Sequence, residues 1–331
     1  MTVQTNRNYR ELAEKILNGY VPSEAEALQI VEAPDEDLLD IMQAAFRIRK
    51  HYFGTKVKLN MIINAKSGLC PEDCGYCSQS IVSDAPVEKY ALLNKQSILA
   101  GAQEAIKRKA GTYCIVMSGR RPSDAELDGV VEAVKEIRET TQLKICACLG
   151  FLTDQHAQKL AESGVQRYNH NLNTSQDNYD KICSTHTYDD RVDTVQKAKE
   201  SGMSPCSGMI IGMGESNREL VDIAVALRAL DADSIPVNFL NAIDGTPYEG
   251  VRYLNPRHCL KTVAMIRFLN PTKEIRLSGG REINLRSLQA LGLYAANSIF
   301  VGDYLTTQGQ EPTSDWKMIE DLGFEIEECA L

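Results

Sequence analysis

KLNMIINAKSGLCPEDCGYCSQS, residues 58 to 80, joins a short β-rich run to a loop crowded with cysteines. The run KLNMIIN (58–64) has the apolar and β-branched character of a buried strand. The loop after it places Cys70, Cys74 and Cys77 in the spacing C-x3-C-x2-C. That set is one ligand short of a closed metal site, so a metal held there keeps one position open.

Seven further runs repeat the strand pattern: TYCIVMS (112–118), LKICACL (143–149), QRYNHNL (166–172), PCSGMII (205–211), SIPVNFL (234–240), EIRLSGG (274–280) and SIFVGDY (298–304). Segments rich in helix formers alternate with them at 96–110, 123–141, 154–164, 188–201, 215–231, 256–269, 281–293 and 312–323, with Ser123, Asp154 and Asn255 as capping residues. Gly111, Gly164, Gly202 and Pro271 punctuate the junctions. Eight strand–helix units predict an α/β fold, a parallel (β/α)8 TIM-type barrel over residues 58–331. Residues 1–57 read as an N-terminal helical extension packed outside that barrel. The cysteine loop follows the first strand at its C-terminal end, where βα loops build barrel active sites.

Composition narrows the function classes. Among 331 residues, 36 are Lys or Arg and 45 are Asp or Glu, for a formal net charge of −9. No basic block is present to neutralise a phosphate backbone, which argues against a nucleic-acid partner. The N-terminus MTVQTNRNYRELAEKIL is polar, and no apolar run approaches the ~20 residues of a membrane span. The reading is therefore a soluble cytoplasmic protein without a membrane partner. Its ten cysteines are spread through a large chain with no export signal, which favours reduced thiols available to metal over disulfides.

Side-chain alternation puts Asn169, Asn171 and Asn173 on one face of their strand and Tyr168, His170 and Leu172 on the other. Barrel interiors are normally filled with Val, Ile and Leu. An unpaired buried amide costs roughly 1–3 kcal/mol, so three inward amides imply something polar to meet them. The same alternation lets Cys114, Cys146, Cys206, Asn238 and Arg276 face inward, which makes the interior a ligand chamber. His170 reads as structural, and Cys148, Cys183, Cys259 and Cys329 read as buried small hydrophobes or incidental thiols.

For the cysteine loop, structural zinc prefers paired C-x2-C knuckles and a complete tetrahedral set, and no second knuckle lies nearby. In a four-iron cluster each iron needs one external ligand, so three cysteines leave the fourth iron open. With Tyr76 just before the last cysteine, the loop resembles the radical S-adenosylmethionine superfamily. CPEDCGYCSQS (70–80), YNHNLNTS (168–175), SPCSGMIIGMGES (204–216), NFLNAIDGTP (238–247) and IRLSGGRE (275–282) narrow the resemblance to the biotin synthase family, along nearly the whole chain from the cysteine loop to the last barrel strand.

The resemblance implies a 4Fe-4S cluster on Cys70, Cys74 and Cys77, completed by the amino and carboxylate groups of S-adenosyl-L-methionine. Cleavage of that cofactor would give methionine and a 5′-deoxyadenosyl radical able to abstract hydrogen from unactivated C–H bonds. It also implies a 2Fe-2S cluster on Cys114, Cys146, Cys206 and Arg276, with Arg276 either a ligand or a cation that offsets thiolate charge. The implied reaction is insertion of sulfur into dethiobiotin to form biotin, the last step of biotin biosynthesis, with the sulfur drawn from the second cluster. Tyr76, Asn171, Asn173, Arg191 and Gly212 would serve S-adenosylmethionine, and Asn169, Asn171 and Asn238 the ureido ring of the substrate. Position 173 is often Asp in the family and is Asn here. For Arg191 the plain reading is an exposed helix arginine acting as solvated charge. Flavodoxin or ferredoxin is the implied electron donor, and a homodimer the implied assembly. Two rivals are a radical enzyme that rearranges an amino acid or thioether, needing only the first cluster, and a zinc- or iron-binding scaffold.

Overall fold

The structure is a computed structural model that describes residues 8–328. Strands β1 (Lys56–Lys66), β2 (Thr112–Met117), β3 (Lys144–Cys148), β4 (Arg167–Asn169), β5 (Ser204–Cys206), β6 (Met209–Ile211), β7 (Ser234–Phe239), β8 (Glu274–Leu277) and β9 (Ser298–Phe300) form one parallel sheet. Pairing of β9 with β1 closes it into a barrel. A short strand, β10 (Glu325–Ile326), adds beside the start of β1. The barrel has the expected eight staves, but PCSGMII is two strands rather than one, because β5 and β6 form a single stave with a gap at Ser207–Gly208. Pro236 in β7 has no N–H for a neighbouring stave. A Cβ on Gly208 would lie 1.9 Å from the Pro236 carbonyl oxygen, so only glycine passes there.

The helices around the sheet are α4 (Lys95–Lys107), α5 (Asp124–Thr140), α6 (Asp154–Ser163), α7 (Tyr188–Glu200), α8 (Asn217–Ala229), α9 (Pro256–Leu269), α10 (Arg281–Leu285), α11 (Gln289–Gly292) and α12 (Pro312–Asp321). Capping side chains start most of them, with reciprocal Ser/Thr–acid boxes at Ser123, Thr187 and Ser216 and Asn255 capping α9. The cap of α6 is Thr153, whose Oγ1 accepts from the His156 N–H, and the expected cap Asp154 is the first helical residue. The expected helix 281–293 is broken in two at Arg286, where φ is +53°.

Three N-terminal helices, numbered ahead of these as α1 (Tyr9–Leu17), α2 (Glu24–Val31) and α3 (Leu38–Phe53), lie outside the barrel, α2 against α8 and α9, α3 against α9, and α1 against α3. This layer buries α9 along nearly its whole length. Arg49 of α3 is fully buried and donates to the carbonyls of Ala296 (3.2 Å), Lys56 (2.8 Å) and Gly54, which ties the layer to the barrel. Among the described residues no helix is long and apolar enough to cross a membrane. Cys329 lies outside the described residues.

After β8, the buried guanidinium of Arg281 meets both oxygens of Asp315 in α12, at 2.7 and 2.8 Å. Removing one partner of a buried pair costs about 3–5 kcal/mol when the other charge is left alone, and Glu282 at 3.3 Å from Arg281 Nη2 puts the loss here at the lower end, about 3 kcal/mol. Asp315→Ala should lower unfolding free energy by that order in a denaturant titration, whereas replacing the neighbouring exposed Glu311 should change little.

Candidate active site

The cysteine loop leaves β1 through a narrow neck, where Ser67 and Tyr90 exchange backbone hydrogen bonds at 3.2 and 3.1 Å. Inside the neck the Gly68 N–H donates to Gln79 Oε1 at 2.8 Å, with Gly68 and Leu69 at φ +64° and +56°. The far side is stapled to the segment before α7. Gly75 N–H donates to the Ile182 carbonyl (2.9 Å), the Asp73 carboxylate accepts from the N–H groups of Ser184 (2.9 Å) and Thr185 (3.1 Å), and Glu72 holds His186 Nδ1 at 2.6 Å. The loop's shape is thus fixed by the protein. Cys74 is buried, and Cys70 and Cys77 are half-buried. Contact with Cys183 together with burial holds the Cys74 thiol well above its ordinary range, and burial raises Cys70 and Cys77.

Inside the barrel, Cys114 and Cys146 are direct partners on β2 and β3, and Cys206 on β5 contacts Cys146. Their exposures are 5%, 1% and 0%. Contact with Cys114 plus burial keeps Cys146 protonated far above the usual thiol range, and contact with Cys146 plus burial does the same for Cys206. A metal entering this set must displace those protons. Arg276 on β8 is 1% exposed. Its Nη2 donates to Glu274 Oε1 (2.5 Å) and Ser234 Oγ (3.0 Å), and its Nε to Ser298 Oγ (3.2 Å). Burial alone would weaken its charge, and the Glu274 carboxylate with the three thiols reverses that and holds it cationic. Glu274 also meets Arg167 Nη1 at 3.1 Å.

Both sets open on one cavity of about 290 Å³, lined among others by Tyr76, Cys77, Cys114, Cys146, Asn169, Asn171, Asn238 and Arg276. Soft thiol donors with no disulfide among the described cysteines converge from three strands and one loop. The arrangement suits iron–sulfur ligation from two sides of one chamber. Cys206 lies behind the lining, with its Sγ 3.2 Å from Asn169 Nδ2.

The amides divide. Asn169 donates to Asn171 Oδ1 at 3.0 Å, and both line the chamber. Asn173 does not join them, because β4 ends at Asn169 and Asn173 has φ +71°, so strand alternation no longer applies. Its Nδ2 instead donates to the Tyr76 hydroxyl at 2.5 Å. Asn238 is clamped, with Nδ2 donating to the Met209 carbonyl (3.1 Å) and Oδ1 accepting from the Gly279 N–H (3.0 Å). Arg191 is buried rather than exposed. Its Nη1 donates to the Asn171 carbonyl (3.0 Å) and its Nη2 to His186 Nε2 (2.8 Å). At Gly212, φ is +97° and an added Cβ would meet Leu254 at 2.6 Å, so the local backbone already demands glycine. His170 is buried against Phe151, as its structural reading expects.

Several residues escaped the sequence. Cys183 is not incidental, since its Sγ lies 3.7 Å from that of Cys74, and Cys148 lines the chamber. Glu274 stands two positions before Arg276 on the same strand face, and that spacing was a usable signal. His186 had none.

Residues 66–227 match the Radical SAM superfamily, and residues 236–325 match the Biotin and Thiamin Synthesis associated domain. Biotin synthases of Bacillus thuringiensis (strain Al Hakam) and Bacillus anthracis are each 68% identical over 329 residues, covering 99% of this chain and 99% of theirs. Among solved structures, methylornithine synthase superposes with a TM-score of 0.84 at 21% identity, over 96% of this chain and 97% of that one. The FeFe-hydrogenase maturase of Carboxydothermus hydrogenoformans gives 0.81 at 17%, over 97% and 80%. These two share the barrel, and the full-length likeness decides the rest: the chain belongs to the biotin synthase family of radical S-adenosylmethionine enzymes.

Proposed function

We propose that Cys70, Cys74 and Cys77 hold the 4Fe-4S cluster of this enzyme, and that Cys114, Cys146, Cys206 and Arg276 hold its 2Fe-2S cluster. The chamber between them would take S-adenosylmethionine and dethiobiotin together. One observation carries the reading: Cys77 of the loop set and Cys114 and Cys146 of the barrel set line the same cavity. When bound, the first cluster supplies the electron that cleaves S-adenosylmethionine, and the second supplies the sulfur.

The chain's own side chains hold and orient the reactants. The Asn169–Asn171 bond leaves Asn171 Nδ2 free to donate and Asn169 Oδ1 free to accept, the pair of functions a cyclic urea requires. Clamping of Asn238 fixes its amide without exhausting it, since one N–H and one lone pair remain. Arg191, buried near Tyr76 and Asn171, is suited to the cofactor carboxylate, while Tyr76 and Asn173 form a neighbouring polar wall and Gly212 belongs to the glycine-rich approach. On Arg276, Nε and Nη2 are occupied, so Nη1 is the nitrogen that faces the second cluster, as a proton donor while the group is cationic and as a ligand only on losing a proton.

The same reading takes flavodoxin or ferredoxin as electron donor, a homodimer in the cytoplasm, and no nucleic-acid or membrane partner. The net charge of −9 supports the last point. It also treats residues 1–57 as an extension of the 58–331 barrel.

Anaerobically loaded chain given dethiobiotin, S-adenosylmethionine and a low-potential reductant should make biotin. Asn171→Ala should weaken dethiobiotin binding several-fold, in line with ~0.5–1.5 kcal/mol for a lost hydrogen bond, with little change in thermal stability. Absence of biotin from the fully loaded wild-type chain defeats the reading, and unchanged dethiobiotin affinity in the variant removes Asn171 from it.

A further inference from the structure

The segment 182–187 braces the cysteine loop, and its thiol has no part in the scheme above. Cys183 is buried with its Sγ 3.7 Å from Cys74 Sγ. Around it lie Asp73 Oδ1 at 3.1 Å, His186 Nδ1 at 3.2 Å and Thr185 Oγ1 at 3.5 Å. Counting protons decides which of these the thiol serves. Asp73 Oδ1 already accepts from two backbone N–H groups, at 2.9 and 3.1 Å, so the Cys183 S–H that it also faces is a third donor to a two-lone-pair oxygen and is free to turn to a better acceptor. The Thr185 hydroxyl donates to Glu72 Oε2 at 2.6 Å, leaving only a distant, weak acceptor. His186 Nδ1 lies 2.6 Å from Glu72 Oε2 and so carries the ring proton, while Nε2 accepts from Arg191 at 2.8 Å. Neither ring nitrogen has a lone pair to spare. A Cys74 thiolate bound to iron has no proton to give and carries negative charge, so it is the strongest acceptor left.

We infer that Cys183 donates its S–H to the iron-bound Cys74 thiolate and thereby raises the reduction potential of the 4Fe-4S cluster. This rests on the assignment of Cys70, Cys74 and Cys77 to that cluster. A hydrogen bond to a ligand sulfur stabilises the extra negative charge of the reduced state, and outer partners of this kind tune cluster potentials. Cys183 is a positioning residue here, since it acts through Cys74. The donor atoms of Cys74, Cys183 and His186 also lie within 4.8 Å of one another, as a single metal ion would need. That arrangement would break the imidazole's bond to Glu72 or to Arg191 and compete with the cluster for Cys74, so the hydrogen bond is the better use of the geometry.

The test is a potentiometric titration of the anaerobic full-length chain, followed by the low-temperature paramagnetic resonance of the reduced four-iron cluster, with iron and sulfide content measured alongside. Cys183→Ala removes the donor, Cys183→Val removes it at similar volume, and Cys183→Ser returns a hydroxyl. The potentials of the Ala and Val variants should move more negative together, with the four-iron complement retained, and the Ser variant should stay nearer wild type. An unchanged or more positive potential in both apolar variants overturns the inference. So does loss of the cluster from both while Ser still loads, because Cys183 would then be holding the cluster rather than tuning it. A wild-type chain that takes up no four-iron cluster fails the cysteine assignment itself, and the inference falls with it.

Discussion

Alanine at Cys70 or Cys77 should reduce 5′-deoxyadenosine formation from S-adenosylmethionine below detection, with biotin formation lost as a consequence. On the proposed assignment each thiolate would hold one iron, and a cluster short of one ligand would not keep the fourth iron in register with the cofactor. Water cannot easily stand in, because the loop is held in shape from both sides by Ser67–Tyr90 and by the 182–185 segment. At Cys74 the experiment needs a double variant. Cys183 Sγ is 3.7 Å away and could take over as ligand, so Cys74→Ala is paired with Cys183→Ala. The reporter is 5′-deoxyadenosine by chromatography, with iron content on the same samples. Wild-type rates of formation in the Cys70 or Cys77 variant would remove the radical assignment from this loop.

The second large effect separates the two cysteine sets. Cys114→Ala, Cys146→Ala and Cys206→Ala should each bind S-adenosylmethionine and keep the absorption of the first cluster, yet make no biotin. The three thiols sit at 0–5% exposure, and alanine at any of them takes away a soft donor that no neighbouring side chain of the set replaces. Arg276→Ala should be milder, since three thiolates remain. It also leaves Glu274, buried at 4% exposure, with Arg167 at 3.1 Å and Lys58 at 3.5 Å as its cationic partners. Its loss should therefore show first as lower stability and slower loading. If wild-type chain loaded with isotopically labelled sulfide completes one turnover without free sulfide, the label should appear in biotin as the second cluster's absorption falls. Unlabelled biotin from a verified labelled cluster would overturn the sulfur-donor role and leave the two-set geometry standing.

The cysteine loop was legible because metal-ligand spacing along a short loop is a local property. The eight staves were legible because the alternation of β-rich runs with helix formers is local too, and most cap positions followed from single Ser, Thr or Asn side chains at helix starts. Asn173 shows where local rules stop. Alternation put it with Asn169 and Asn171, but that rule holds only while the backbone is extended, and the positive φ at Asn173 turns its amide to Tyr76. Arg191 looked like solvated charge because helical periodicity does not reveal what covers a helix. Its burial is decided by Tyr179 and His186, which arrive from the preceding loop.

By itself the sequence determined the barrel's units, the ligand-rich loop and the identity of the thiols and amides available to the chamber. Tertiary structure alone decided that Cys77, Cys114 and Cys146 share one cavity and that Cys183 meets Cys74. The reason is physical. Spacing and periodicity report contacts within about one turn or one strand, whereas these contacts span 32 to 109 positions, between Cys114 and Cys146 and between Cys74 and Cys183, and exist only once the sheet closes on itself and the loops pack across its rim.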